Sequence, residues 1–210
     1  MKIGVVVLNL GGPCEVSEVK PFLFRLFKDP EIIEGVTKFF RSALAFFISI
    51  IKGPSSEKAY LQIGGGSPQL HWTRIQAQCL SEKLRNSGFD VYVEVGMRAW
   101  NPDIQQALIN LKAKKVNKLF LVPLFPHYSK TTTGSCFKEA YSCLQSLKWN
   151  PIVEEIERWP EHPLYLNFIK QTFIESLVEL DLSQKIHVLF SAHSLPMKTI
   201  RNGDAYPFDV

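Results

Sequence analysis

The side chains best able to take a proton or hold a metal near neutral pH are the five histidines, at 71, 127, 162, 187 and 193. His193 is set apart by its context. It follows the apolar run Val188-Leu189-Phe190 and sits within Ser191-Ala192-His193-Ser194-Leu195-Pro196, where small and polar residues break the run. Ligands of open α/β sheets bind just outside the carboxyl ends of strands, so a strand over 186–190 would bring His193 to such an edge. On the local pattern alone, a hydrogen-bonded loop histidine is the simpler reading. His187 falls at the start of the same run and reads as structural, His71 lies on a helix, and His162 lies in a proline-rich joint. His127, in Pro126-His127-Tyr128-Ser129, is the second candidate. Imidazole suits transition metals, but a single histidine does not make a metal site.

Other chemistry-bearing stretches also follow apolar runs. Gly11-Gly12-Pro13 ends the run 3–10, and paired glycines permit a sharp turn and close approach of a ligand. Ser67-Pro68, after Gly64-Gly65-Gly66, predicts a helix start with Ser67 as cap and Pro68 first in the helix. Its free N–H groups and dipole would favour an anionic oxygen. Met97-Arg98 and the polar stretch 131–135 complete the set. None of these is GxGxxG or GxxxxGK[ST], and no acidic ribose-binding residue stands at the expected distance. A nucleotide-binding domain is therefore the weaker alternative.

The elements that must position these groups alternate. Strands are predicted at 3–10, 90–96, 119–124, 152–156 and 186–190. Helices are predicted at 17–27 (capped by Ser17), 67–86, 101–115 (opened by Asn101-Pro102), 136–147 and 164–180, with a loop at 53–56. Alternating strands and helices imply an α/β fold with a mostly parallel sheet covered on both faces. The polar stretches should then gather at one sheet edge. The joint at 159–163 is the best domain boundary. A faint echo between 6–13 and 188–196, each an apolar strand followed by a small polar turn and a proline, suggests two similar domains, the second only begun by Val210.

The segment 36–51 carries Phe39, Phe40, Leu44, Phe46, Phe47, Ile48, Ile50 and Ile51, flanked by Lys38, Arg41 and Lys52. It is too short to cross a bilayer, which takes about 20 apolar residues. It reads either as a buried helix or as an amphipathic segment resting on a membrane surface. Across all 210 residues, a net charge of +4 without a dense basic tract gives no reason to expect nucleic acid. The four cysteines lack CxxC spacing and read as reduced thiols of a cytosolic protein. The strand-like run at the start leaves no secretory leader.

Taken together, Leu8-Asn9-Leu10-Gly11-Gly12-Pro13, Tyr60 with Ile63-Gly64-Gly65-Gly66-Ser67-Pro68, Gly96-Met97-Arg98, Pro126-His127-Tyr128-Ser129 with Thr132-Thr133-Gly134-Ser135, Arg158-Trp159-Pro160, Phe190-Ser191-Ala192-His193-Ser194-Leu195-Pro196 and Gly203-Asp204-Ala205-Tyr206-Pro207 stand in a telling order. In that order and spacing the chain resembles the ferrochelatases, which insert ferrous iron into a porphyrin to make haem. The resemblance is collinear over nearly the whole sequence. It implies two Rossmann-like, chelatase-type domains, with 1–160 the first, a porphyrin lip inserted at about 31–58, and 161–210 the start of an incomplete second.

The resemblance also implies roles. His193 matches the histidine assigned to metal binding and to taking pyrrole protons. Tyr60 and Ser67 match positions that hydrogen-bond porphyrin propionates. Lys52 falls where some members carry an arginine; the charge is kept and the bidentate fork lost. Arg98 matches a pocket arginine, and Tyr128 stands in a further substrate-binding motif. Leu10 replaces a Tyr or Met that faces the macrocycle, so it offers no axial ligand. Leu10 leans towards protoporphyrin IX over coproporphyrin as substrate. Ferrous iron is a substrate, no prosthetic group is implied within these residues, and any iron–sulfur ligands and the acidic partner of His193 would lie past Val210. The implied setting is cytoplasmic and peripheral to the inner membrane, with contact through 36–51. A chain holding only this part would bind porphyrin weakly and not turn over. The alternatives are a coproporphyrin ferrochelatase and a non-catalytic porphyrin-binding protein.

Overall fold

The computed structural model describes residues 2–33, 35–178 and 185–210. The chain opens with strand β1 (Ile3–Asn9), a 3-10 turn at Val16–Glu18, and helices α1 (Val19–Phe27), α2 (Lys38–Gln62) and α3 (Gln69–Asn86). Next come β2 (Val91–Met97), α4 (Ile104–Ala113), β3 (Lys118–Pro123), a π-helical turn at Lys130–Gly134, α5 (Ser135–Ser146) and β4 (Ile152–Glu155). Helix α6 (Pro163–Leu177) and two short helices, α7 (Met197–Arg201) and α8 (Tyr206–Asp209), follow. The four strands form one parallel sheet in the order β2-β1-β3-β4.

Side chains alternate along a strand, and the unbroken apolar run of β1 fits burial on both sides. Val6 and Leu8 pack with Ile104, Leu108 and Leu111 of α4 and Phe137 and Leu144 of α5. Val5 and Val7 pack on the opposite face with Ala77 of α3. Right-handed crossovers require this division. The chain leaves β1 for β2 in one direction and returns past β1 to β3 in the other, so the crossover helices fall on opposite faces.

Helices α1 and α2 pack instead beyond the carboxyl end of β1. There Val19, Phe22 and Leu23 close on Ala99 and Trp100, with Leu10 and Tyr60 against them. The only buried residues of α2 are Ala45, Ser49 and Gly53, spaced one turn apart on one face. Phe39, Phe40, Phe46, Phe47 and Ile51 of the same helix are exposed, so 36–51 is not a buried core helix.

Several local expectations are corrected. Residues 53–56 are not a loop: α2 runs through Pro54. The proline removes one backbone bond, but Gly53 lets the Lys20 stem of α1 lie against the helix and the packing carries it on. Ser17 is not a helix cap; it lies inside the opening 3-10 turn, and its hydroxyl donates to Glu15 at 2.5 Å. Asp103 rather than Asn101-Pro102 starts α4, accepting from the Gln106 N–H at 2.7 Å. The strand expected at 186–190 does not form. A strand exists through its ladder, and no described residue pairs with this segment, so Leu189 and Phe190 stand 92% and 85% exposed. The last two positions of the helix expected at 164–180 lie outside the described residues. The Ser67 hydroxyl does accept from the Gln69 N–H at 3.2 Å, but α3 begins at Gln69, so Pro68 and not Ser67 holds the cap position.

Two glycines make opposite predictions. A Cβ on Gly66 would collide with the Cys14 carbonyl, which is backbone and cannot swing away. Gly66→Ala should therefore destabilise by about 1–3 kcal/mol. A Cβ on Gly53 would meet only the flexible Lys20 stem at 2.7 Å, while alanine gains about 1 kcal/mol of helix propensity. Gly53→Ala should leave the denaturant midpoint nearly unchanged or raised, and equal losses for both variants would contradict the packing described.

Candidate functional site

A cavity of about 730 Å³ opens at the carboxyl end of the sheet. Its base is Leu10, just past β1, and Phe125, Pro126 and His127, just past β3. This is the switch point of the 2-1-3-4 order, where connections depart in opposite directions and leave a crevice. Leu26, Ile32 and Ile33, from α1 and the loop after it, form an apolar wall. His193 to Pro196 and Tyr206 contribute from the far end of the chain.

The structure thus brings together three of the residues singled out above, Leu10, His127 and His193. The His193 backbone N–H donates to the Tyr206 hydroxyl at 3.0 Å. The Tyr206 ring stands edge-on to His127, with centroids 5.9 Å apart. His127 lines the same cavity. Glu31 is the one carboxylate among the described lining residues, and Lys138 holds it at 2.6 Å. Among the described residues, no three His, Cys, Asp or Glu side chains converge as a metal-holding group.

Tyr60 and Ser67 form a neighbouring polar corner. A Cβ on Gly12 would lie 2.7 Å from the Ser67 hydroxyl and 4.0 Å from that of Tyr60, so both approach the turn after β1. The Ser67 N–H donates to the Pro13 carbonyl at 2.7 Å, which ties the glycine-rich turn to that after β1. Burial pushes the Tyr60 hydroxyl above its ordinary value, so it is a neutral donor at physiological pH. Tyr60 and Leu10 pack against the same apolar cluster, which joins this corner to the cavity.

The remaining three stand elsewhere. Lys52 is exposed on α2. Tyr128 is not among the lining residues; its hydroxyl meets the π-helical turn at Gly134, and burial, then the charge of Glu157, pushes it above its usual value. Arg98 is committed to a buried network. Its guanidinium pairs with Asp29 at 2.9 Å and donates to Ser135 at 2.7 Å, and the Ser135 hydroxyl donates to Asp29 at 2.5 Å. Asp29 also accepts from the Glu31 N–H at 2.9 Å. Arg98 thereby anchors the start of the wall that carries Ile32 and Ile33.

The ferrochelatase family model matches residues 2–210 of this chain. The chain belongs to the ferrochelatase family. It is 42% identical over 207 residues to the ferrochelatase of Aquifex aeolicus (strain VF5), covering 98% of this chain and 64% of that protein. The ferrochelatase of Prochlorococcus marinus (strain NATL1A) is 38% identical over 98% of this chain and 53% of its own length. That of Synechocystis sp. (strain ATCC 27184 / PCC 6803 / Kazusa) is 35% identical over 100% of this chain and 55% of its own. The chain thus spans about half to two thirds of the length of these relatives.

Within this ferrochelatase fold, Glu31, Ile32 and Ile33 fall inside the lip expected at about 31–58 without having been singled out there, and Phe125 was missed as a lining residue. Glu31 to Ile33 follow the Asp29-Pro30 break without a periodic pattern. Tyr206 lay in a motif already noted, but its hydrogen bond to His193 spans a turn that local sequence does not encode.

The Arg98 network yields a stability prediction. Breaking a buried ion pair by removing one partner costs about 3–5 kcal/mol, because the other charge is left uncompensated. Arg98→Met should lower stability on that scale, Asp29→Leu should cost less because Glu139 still faces Arg98 at 3.7 Å, and the double variant should lose less than their sum. Strict additivity in urea unfolding would show that the pair is not coupled.

Proposed function

We propose that this chain supplies the porphyrin-binding part of a ferrochelatase that inserts ferrous iron into protoporphyrin IX. The observation that carries the proposal is the meeting of Leu10 and His193 in an apolar cavity at the β1/β3 switch point. Leu10, Leu26, Ile32, Ile33 and Phe125 offer faces against which a flat macrocycle can lie. Tyr60 and Ser67 supply hydroxyl donors for propionate at its edge. The His193 imidazole can accept a pyrrole proton near neutral pH, or offer a lone pair to incoming iron. In this reading 1–160 forms the first chelatase domain and 161–210 contributes a segment of a second. The exposed apolar side chains of 186–190 and the outward apolar residues of α6, such as Leu164 and Phe168, support that division.

The lip reading is part of the same proposal. No helix among the described residues is long and apolar enough to cross a membrane. The outward phenylalanines of α2 can instead enter the headgroup boundary while Lys38 and Lys52 meet anionic lipid. Arg41 is not available for that role, because it donates to the Ile33 and Val36 carbonyls at 3.1 and 2.6 Å.

Two experiments test the proposal. Protoporphyrin should bind the 210-residue chain and nucleotides should not, and anaerobic ferrous iron should give little turnover, since Glu31, the carboxylate lining the cavity, is tied to Lys138. Fused to the part of the Aquifex aeolicus relative that it does not match, the chain should insert iron. In that fusion His193→Ala should lose about 10²–10⁴-fold in rate while still binding porphyrin. Normal insertion by the variant would remove His193 from the chemistry, and turnover by the unfused chain would point to Glu31 as the acidic group. Separately, Phe46→Ser with Phe47→Ser should release the protein from anionic vesicles in sedimentation. Unchanged sedimentation would count against the lip as a membrane contact.

A further inference from the structure

Asp204 is fully buried, yet the chemistry above gives it no part. One carboxylate oxygen accepts from the Ser129 hydroxyl at 3.0 Å and from the Lys130 N–H at 2.8 Å. The other accepts from the Tyr206 N–H at 3.0 Å. A hydroxyl has one proton to give, and Ser129 gives its proton to Asp204. Thr131 is therefore the donor in the 2.9 Å contact between the Ser129 and Thr131 hydroxyls. Around this centre, Lys130 Nζ donates to the Asn202 carbonyl. Asp209 accepts from the Tyr128 N–H at 2.9 Å and from Arg158 at 2.7 Å.

The rest of the segment is mostly exposed. Within 185–210 the buried residues are Thr199 and Asp204 alone, and 186–190 has no ladder. The placement of His193 is thus set by polar contacts with the loop after β3 and not by a core. We infer that Asp204 is the positioning residue for His193. It docks the tail on the Ser129–Lys130 turn and fixes Tyr206, whose hydroxyl takes the His193 N–H. The role of the imidazole rests on the function proposed above; the docking itself does not.

The test is amide hydrogen exchange by NMR on the isotope-labelled chain, with protoporphyrin titrated in parallel. Asp204→Ala strands three buried or half-buried donors, so the Lys130, Tyr206 and His193 amides should exchange about tenfold faster. The Val6 and Leu121 amides in the sheet should not change. Tyr206→Phe keeps the carboxylate clamp and should speed His193 alone. Protoporphyrin should shift the His193 ring resonance in the unaltered chain, and that shift should shrink in both variants. If Asp204→Ala also frees the sheet amides, it has unfolded the domain, and Tyr206→Phe decides. An unchanged His193 amide in Tyr206→Phe overturns the inference. A ring resonance that ignores protoporphyrin in the unaltered chain instead sinks the functional reading, and the amide pattern still decides the clamp.

Discussion

The structure depends on β1 being paired on both edges and covered on both faces. A parallel strand in that position can expose neither its backbone nor its side chains, so every other element is arranged to cover it. Strands β2 and β3 take its two edges, and crossover handedness sends α3 to one face and α4 and α5 to the other. Burying a side chain such as Val6 or Leu8 contributes about 1.5–3 kcal/mol, so this small stretch anchors the domain. The carboxyl end of β1 is itself buried, with α1 and α2 packed beyond it, and the cavity opens beside that packing with Leu10 at its base.

What the sequence revealed follows from how local each signal is. β1 and β2 are marked by valine-rich runs and β3 by an apolar one, each between turn residues, and the α3 start by Ser67-Pro68, where the Ser67 hydroxyl takes the N–H two residues on. Equally apolar composition at 186–190 misled, because strand formation depends on a partner and the partner is non-local. Residues 53–56 misled in the other direction: glycine and proline read as a break, but the decisive contact is with Lys20, some thirty positions away in the chain.

The candidate site shows the same division. His193 was visible because it follows an apolar run, whereas Leu10, the last residue of its run, stood out only through the ferrochelatase resemblance. Arg98 was visible as a type, but not its commitment, since Asp29 and Ser135 reach it from distant segments. Tyr60 and Ser67 emerge as neighbours only through Gly12, around which the backbone turns. The ferrochelatase family match and the geometry thus address different questions. The match says what the chain is related to, and the contacts say which of its polar residues are free to meet a ligand and which are structural.

The cavity wall is fastened in two different ways. At its beginning Asp29 is clamped by Arg98 and Ser135, which belong to the sheet end and α5. Further along, the Ile33 and Val36 carbonyls are gripped by Arg41, which rides on α2. Ile32 and Ile33 therefore span a fixed post and a helix that packs on α1 through Gly53 against Lys20, Tyr60 in the α1 cluster and the Lys20–Glu57 ion pair. Mechanically this is a hinged panel with its handle on the outside. A slight roll of α2 would therefore reach the crevice at two points, moving Ile33 through Arg41 and, through Tyr60, the cluster against which Leu10 of the base packs.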